Sequence, residues 1–401
     1  MSWPMTKVGN IAEVRGGKRL PKGVAFADTV TPFPYLRIVD FHDGSIRNNE
    51  LKYLTPETQN TINRYTISKN DIYISIAGTI GLVGTIPDEL DGANLTENAA
   101  KLVIRDAVVD KDFLVHYLAS ERGRVQIEAL TTKTTQPKLA LARIQQIVIP
   151  QPPIEEQRAI ALVLQAIKAA KHARVKELAL EQERKEALMR HFFAQDEGCR
   201  LESLGSLCNV RYGLGQPPRL DDAGIPIIRA TDIKSGQIKS ETVLRVARDA
   251  VPSHRNAFLN RGEIIVVRSG AYTGDIAMYD GRWPEAVAGY DLVVTVVSAE
   301  IKPEYLTYYL LGESAQRYFR SQRDRAAQPH LNAQQLKNTS VLFPPLKVQA
   351  DIAAALRFCN EKLNALATEV RFFEELFNAT LDELIVGNIT VSPLTESTFA
   401  V

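Results

Sequence analysis

Two stretches of the chain carry a mostly apolar stripe at alternating steps of three and four residues, with neither proline nor glycine to interrupt them. In the later stretch the stripe is Leu356, Cys359, Leu363, Leu366, Val370, Phe373, Phe377, Thr380 and Leu384, the seam of a coiled coil. In the earlier one it is Leu164, Ile167, Lys171, Arg174, Leu178, Glu181, Lys185, Leu188 and Phe192, apolar at its ends and polar in its middle. The pattern predicts long helices from about Glu155 to Ala194 and from about Lys347 to Ile385. Each opens behind a double proline, Pro152-Pro153 and Pro344-Pro345. Proline suits a first helical turn, where its missing N–H has no intrahelical acceptor, and Glu155 and Glu156 complement the positive end of the helix dipole. Helices of about 40 residues rise roughly 60 Å, more than a compact domain needs internally. They are expected to bury their stripes against each other, antiparallel; the plainer alternative is that each caps its own domain.

Ahead of each helix lie short runs with strand character, among them Asp71 to Ile76 and Glu263 to Val267. Glycine-containing turns follow them, Ala77-Gly78-Thr79-Ile80-Gly81 and Ser269-Gly270-Ala271-Tyr272-Thr273-Gly274. One amphipathic helix is predicted in each half, from about Asp112 to Leu130 and from about Glu304 to Gln322. The globular parts therefore read as α+β.

The two halves are copies. A shift of 192 residues carries Pro152-Pro153 onto Pro344-Pro345, Gln157 onto Gln349, Gln136-Pro137 onto Gln328-Pro329, and Arg37 and Asp40 onto Arg229 and Asp232. Toward the start the register slips by four, so that Gly9, Val14, Arg15 and Gly17 meet Gly205, Val210, Arg211 and Gly213. A repeat this long is a duplicated domain, since solenoid units run roughly 20 to 50 residues. The boundaries expected are a first domain at 1–151, a helical spacer at 152–198, a second domain at 199–343, a second spacer at 344–389 and a tail at 390–401.

Composition changes this picture little. With 45% hydrophobic and 24% charged residues the 401-residue chain has ordinary globular composition, and no membrane-spanning run is present. A cytoplasmic protein is expected, with Cys199, Cys208 and Cys359 as reduced thiols rather than a disulfide or zinc framework. The net charge of +1 lacks the strong basicity common among nucleic-acid binders, so any phosphate contact must come from local basic loops.

No catalytic signature is found: no phosphate-binding P-loop, no HExxH, no GxSxG and no acidic-Pro-Pro-aromatic motif. The six histidines show no metal-like clustering. What recurs is three glycine-flanked loops per half that carry side chains able to read base edges or phosphates. In the first half the candidates are Arg15, Lys18, Arg19, Lys22, Arg37, Thr79, Lys133, Thr134, Gln136 and Lys138. In the second they are Arg211, Tyr212, Gln216, Arg219, Arg229, Arg268, Ser269, Tyr272, Thr273, Arg323, Arg325, Gln328 and His330. Taken singly, each loop reads first as a solvated surface turn, and it is the duplication that shifts the reading. Scaffold positions match between the halves while loop contents diverge.

Two variable domains, each followed by Pro-Pro-apolar-x-x-Gln-x-x-Ile-Ala, resemble the specificity subunit of type I restriction-modification systems. The motif stands at Pro152 to Ala161 and again at Pro344 to Ala353, where Lys347 and Val348 replace the acidic pair Glu155-Glu156. The resemblance implies two target-recognition domains with twisted β-sheets, joined and spaced by two long helices packed as an antiparallel coiled coil. It implies a non-catalytic subunit that reads an asymmetric bipartite double-stranded DNA site, one half per domain. Two modification (methyltransferase) subunits, and in some systems restriction subunits, would assemble on it. S-adenosylmethionine and ATP would then reside on those partners, with no cofactor on this chain. Gln157, Ile160, Gln349, Ile352, Phe358, Phe372 and Leu376 are the candidates for partner binding. The rival reading is a two-domain adaptor for protein ligands.

Overall fold

Long-range pairing in the computed structural model divides the chain into two compact units, residues 1–174 with 368–401 and residues 175–367. The structure describes residues 3–47, 49–105, 108–132, 135–194, 200–216, 218–252, 256–323, 330–389 and 391, the Arg323 side chain excepted. The candidates Lys133, Thr134, Arg325 and Gln328 lie outside the described residues, as do Cys199, His254 and nearly all of the tail.

In the first unit the central antiparallel sheet has the strand order Ala12–Gly16, Ala99–Ile104, Ile72–Ser75, Val83–Thr85. A second, mixed sheet pairs Pro34–Leu36 in parallel with Ala93–Leu95. Met5–Lys7 pairs with Val148–Pro150 and closes the domain's beginning onto its end. The second unit repeats the plan. Its central sheet runs Cys208–Tyr212, Leu292–Val296, Ile264–Val266, Ile276–Met278, and Arg200–Ser203 pairs with Ser340–Phe343. The slip of four residues seen in the sequence falls between Gly17 and Pro34, where the first unit has irregular chain and the second has the strand Leu220–Ile228.

The single amphipathic helix expected in each half is two helices. Lys111–Ala119 stops at Ser120, whose hydroxyl accepts the Gly123 N–H and so caps Glu121–Leu130. Pro303–Leu311 and Glu313–Arg323 break at the equivalent Gly312. The residue at each junction is extended, so the chain changes direction between the two helices.

Ile154–Phe192 and Leu346–Val386 are the long helices, and every residue of both predicted stripes is buried or half-buried. Within each unit the two helices run antiparallel. In the first, Lys171 pairs with Glu374 (2.6 Å) and Arg174 with Glu369 (2.8 Å). In the second, Lys362 lies 3.3 Å from both Glu177 and Glu181. In the middle of the first helix's stripe Lys171 and Arg174 thus meet carboxylates, and Glu181 meets a lysine, where hydrophobic side chains would otherwise pack. The helix ends join the domain cores: Ile160, Leu164, Leu381 and Leu384 pack with Ile72 and Phe113, while Phe193, Ile352 and Leu356 pack with Ile264 and Tyr305.

Four candidate partner residues are corrected here. Gln157 and Gln349 are fully buried, and Ile160 and Ile352 belong to the cores. The Gln157 amide donates to the carbonyls of Val108 (3.0 Å) and Pro152 (2.8 Å), and its oxygen accepts the Asp110 N–H (2.9 Å). Gln349 does the same with Glu300 (2.9 Å), Pro344 (2.8 Å) and the Lys302 N–H (2.8 Å). The glutamine of the repeated motif is therefore a clamp between a helix start and its own domain. Phe358, Phe372 and Leu376 do face solvent, each about half exposed or more.

Candidate nucleic-acid interface

Three loops per unit converge on one end of the central sheet through a short turn that carries little charge of its own. In the first unit that turn is residues 95–98. Lys18 N–H donates to Leu95 O (2.8 Å), Arg19 pairs with Glu97 (2.6 Å), and Ile76 N–H donates to Asn98 O (2.8 Å). A bridge between Ala77 and Lys138 then fastens the second loop to the third. In the second unit the turn is residues 288–291. Gly213 N–H donates to Asp291 O (3.0 Å), Leu214 N–H to Ala288 O (3.0 Å), and Arg268 N–H to the Asp291 carboxylate (3.2 Å). Ser269 bridges His330 there. Gly17 and Gly213 are required by this closeness, because a Cβ would stand 2.1 Å from Thr96 O or 2.3 Å from Gly289 O.

The first unit presents Lys18, Arg19, Lys22, Thr79, Gln136 and Lys138 as exposed side chains on these loops. Lys18 sits over the Tyr65 ring at 5.6 Å. Arg15 is exposed on the adjacent strand and pairs with Glu13 at 2.8 Å. The second unit presents Tyr212, Gln216, Arg219, Ser269, Tyr272, Thr273 and His330, with Arg268 half-buried among them. Burial and the nearby Arg268 cation hold the His330 imidazole below its usual pKa, which favours the neutral ring. Arg323 ends its helix with its backbone alone described.

Three candidates are corrected. Arg37 and Arg229 each clasp a buried carboxylate three residues on, Asp40 at 2.8 Å and Asp232 at 2.9 Å, and donate to the carbonyls of Glu50 and Thr242. They fix identical turns in the two scaffolds. Arg211 is folded inward. It pairs with Glu263 through two bonds of 2.6 and 2.7 Å and reaches Thr295 Oγ1 and the carbonyls of Asn256 and Phe258. Its guanidinium holds the Glu263 carboxyl below its usual range against a burial that pushes the other way.

The turn itself was missed. Asn98, Tyr290 and Asp291 touch the loops, yet they stand in no basic or glycine-rich segment. Tyr290 stacks under Arg268 with 3.9 Å from the guanidinium carbon to the ring centre. The signal available was positional, two turns at the same place in the repeat with unlike residues. Among the described residues no group of three His, Cys, Asp or Glu side chains gathers as a metal site, and no helix is long and apolar enough to cross a membrane.

The sequence model of the type I restriction modification DNA specificity domain matches residues 2–181 and again residues 201–369. The chain belongs to this family. It carries two specificity domains, and each coincides with one set of converging loops. The chain is 23% identical over 394 residues to the type I restriction enzyme EcoKI specificity subunit of Escherichia coli strain K12, covering 91% of this chain and 81% of that one. It is 20% identical over 433 residues to the MjaIX specificity subunit of Methanocaldococcus jannaschii, covering 98% and 94%. A match to the EcoBI specificity subunit of Escherichia coli, 26% identical, spans 31% of this chain and 26% of that subunit. The fold is similar to that of the type I restriction-modification S subunit from M. genitalium, with a TM-score of 0.63, 17% identity and 96% of each chain covered.

Proposed function

We propose that this specificity subunit reads an asymmetric, split double-stranded DNA site, one half through the loops of each unit, and carries two modification subunits and, where present, restriction subunits. The observation that carries the reading is the pairing of a common scaffold with unlike loop ends. Two readers of identical content would call for a symmetric site, whereas these two call for unlike half-sites. Exposed loop cations suit phosphates, and the amide, hydroxyl and aromatic side chains beside them suit base edges.

The long helices set the unspecified gap between the half-sites. The solvent-facing Phe358, Phe372 and Leu376 supply the apolar surface on which the modification subunits sit. Adenine methylation, S-adenosylmethionine and ATP belong to those partners, and the chain contributes recognition, in the cytoplasm where cellular DNA lies. Methylation mapping by long-read sequencing tests this, in cells expressing the chain with its modification subunit against cells lacking it. A methylated asymmetric split motif present only with the chain is the expected result. A stable complex that methylates no such motif overturns the reading in favour of a protein-binding adaptor.

A further inference from the structure

Among the described residues, Arg268 is the one candidate cation held between two aromatic rings. Its guanidinium lies 3.9 Å from the Tyr290 ring centre and 5.0 Å from that of Tyr212. Its Nε is buried with no hydrogen-bond partner. The two terminal nitrogens are not among the buried unsatisfied atoms, and among the described residues neither makes a hydrogen bond or an ion pair. The Arg268 side chain borders an open hollow of about 290 Å³ whose other walls are Tyr212, Gly213, Leu214, Gly215 and Tyr290. The backbone under the side chain is fixed as well, by Arg268 N–H on Asp291 and by Leu331 N–H on Arg268 O (2.7 Å).

Such a cage removes the rotamer freedom that an arginine otherwise loses on binding and leaves one edge, with two parallel donors, directed outward. That edge matches a partner with two acceptors side by side. Guanine offers O6 and N7 in the major groove; adenine offers N7 next to an amino donor that an arginine repels. The first unit has no equivalent, since Ile76, Asn98 and Gly16 stand at the repeat positions of Arg268, Tyr290 and Tyr212. We infer that Arg268, caged by Tyr212 and Tyr290, reads one guanine in the half-site of the second unit. This rests on the DNA-reading function proposed above.

The test uses the full chain assembled with its modification subunits and duplexes of the mapped target, each base pair replaced in turn. For the unaltered complex, replacing one G·C pair in the second unit's half is expected to weaken binding about tenfold or more. Arg268→Lys keeps the charge and loses the fork, so its response at that pair should fall to within about twofold while discrimination elsewhere stays intact. Tyr290→Phe should behave as the unaltered chain and Tyr290→Leu as Arg268→Lys, which keeps the question answerable if either variant folds poorly. Equal weakening on all sequences, nonspecific DNA included, would assign Arg268 to a phosphate and overturn the inference. Full discrimination retained in both Arg268→Lys and Tyr290→Leu would overturn it too. An unaltered complex with no sequence preference at all would instead bring down the functional reading beneath it.

Discussion

Arg15 and Arg211 occupy the same place in the repeat and have opposite fates. Arg15 extends into solvent beside Glu13, its side chain 55% exposed. Arg211 turns inward onto Glu263, and the pair is 19% and 5% exposed. Both domains bury a carboxylate immediately before the strand that leads to the second loop, Asp71 in one and Glu263 in the other, and each must neutralise it. The first does so from the neighbouring strand with Lys101, at 2.8 Å, where the second has Val293. A duplicated scaffold thus keeps the electrostatic requirement and changes the side chain that meets it, which frees Arg15 for the surface.

The largest effect should come from breaking this pairing. Arg211→Met leaves Glu263 charged and buried and should destabilise the second unit by about 3–5 kcal/mol. Adding Glu263→Gln should restore much of it. Arg15→Ala, at the equivalent but exposed position, should change stability far less. Denaturant unfolding of the three variants measures all of this. An equal cost at both positions would erase the distinction.

The clamps predict sameness where the arginines predict difference. Gln157→Leu and Gln349→Leu each strand one buried carbonyl, of Pro152 or Pro344, together with a half-buried N–H and a half-buried carbonyl, at about 1–3 kcal/mol for each variant. The two costs should agree within about 1 kcal/mol, since the partners are the same three positions shifted by 192. Hydrogen exchange at Asp110 and Lys302 reads each clamp separately. Protection lost at one and not the other would show that the halves have diverged in scaffold as well as in loops.

Acid should separate the units with a smaller effect. His116 is buried in the first unit against Phe377, with Lys168 nearby, and burial pushes its pKa down to about 4. The unfolded chain therefore takes up the proton first, and this contribution is full above about pH 6.5 and lost as the pH falls toward 4. The repeat partner of His116 is Tyr308, whose hydroxyl accepts from Asn360 at 3.1 Å and stays neutral throughout. In the second unit burial pushes Asp291 up to about 6. There the folded state takes the proton first, so the cost of the buried carboxylate is full above about pH 6 and relieved below it. Between pH 7 and 4.5 the first unit should lose about 1–3 kcal/mol through His116 while the second gains a comparable amount through Asp291. Unit-resolved hydrogen exchange should show His116→Phe flattening the first slope and Asp291→Asn the second; slopes unchanged in these variants would assign the response to other groups.

Much of this architecture was legible because it is written in local periodicity. Both stripes, from Leu164 to Phe192 and from Leu356 to Leu384, needed only spacing, and the repeat needed only self-comparison. What escaped depends on partners distant in sequence. Nothing near Gln157 announces that its amide is completed by Val108 and Asp110, nearly 50 residues earlier, so from the motif alone this glutamine reads as a surface contact. Arg211 reads as a loop cation until Glu263, more than 50 residues on, is brought beneath it. Tyr290 carries no charge and entered the site only when the fold placed its ring under Arg268. Ser120 and Gly312, each extended, break what the apolar spacing alone reads as one helix in each half.

The smallest effect should separate two kinds of cation at the loops. Arg19 is 77% exposed and, among the described residues, tied only to Glu97, on a stretch of irregular chain four residues longer than its counterpart. Arg19→Ala should leave stability nearly unchanged, because exposed pairs contribute little. Its effect on DNA should be equally unspecific. Binding should weaken about alike on every sequence, and the slope of log affinity against log salt should drop by about one as one phosphate contact disappears. The methylated motif should stay unchanged in both halves. A change of motif in the first half would make Arg19 a base reader without a cage, and the aromatic enclosure of Arg268 would then no longer mark which loop cations choose a sequence.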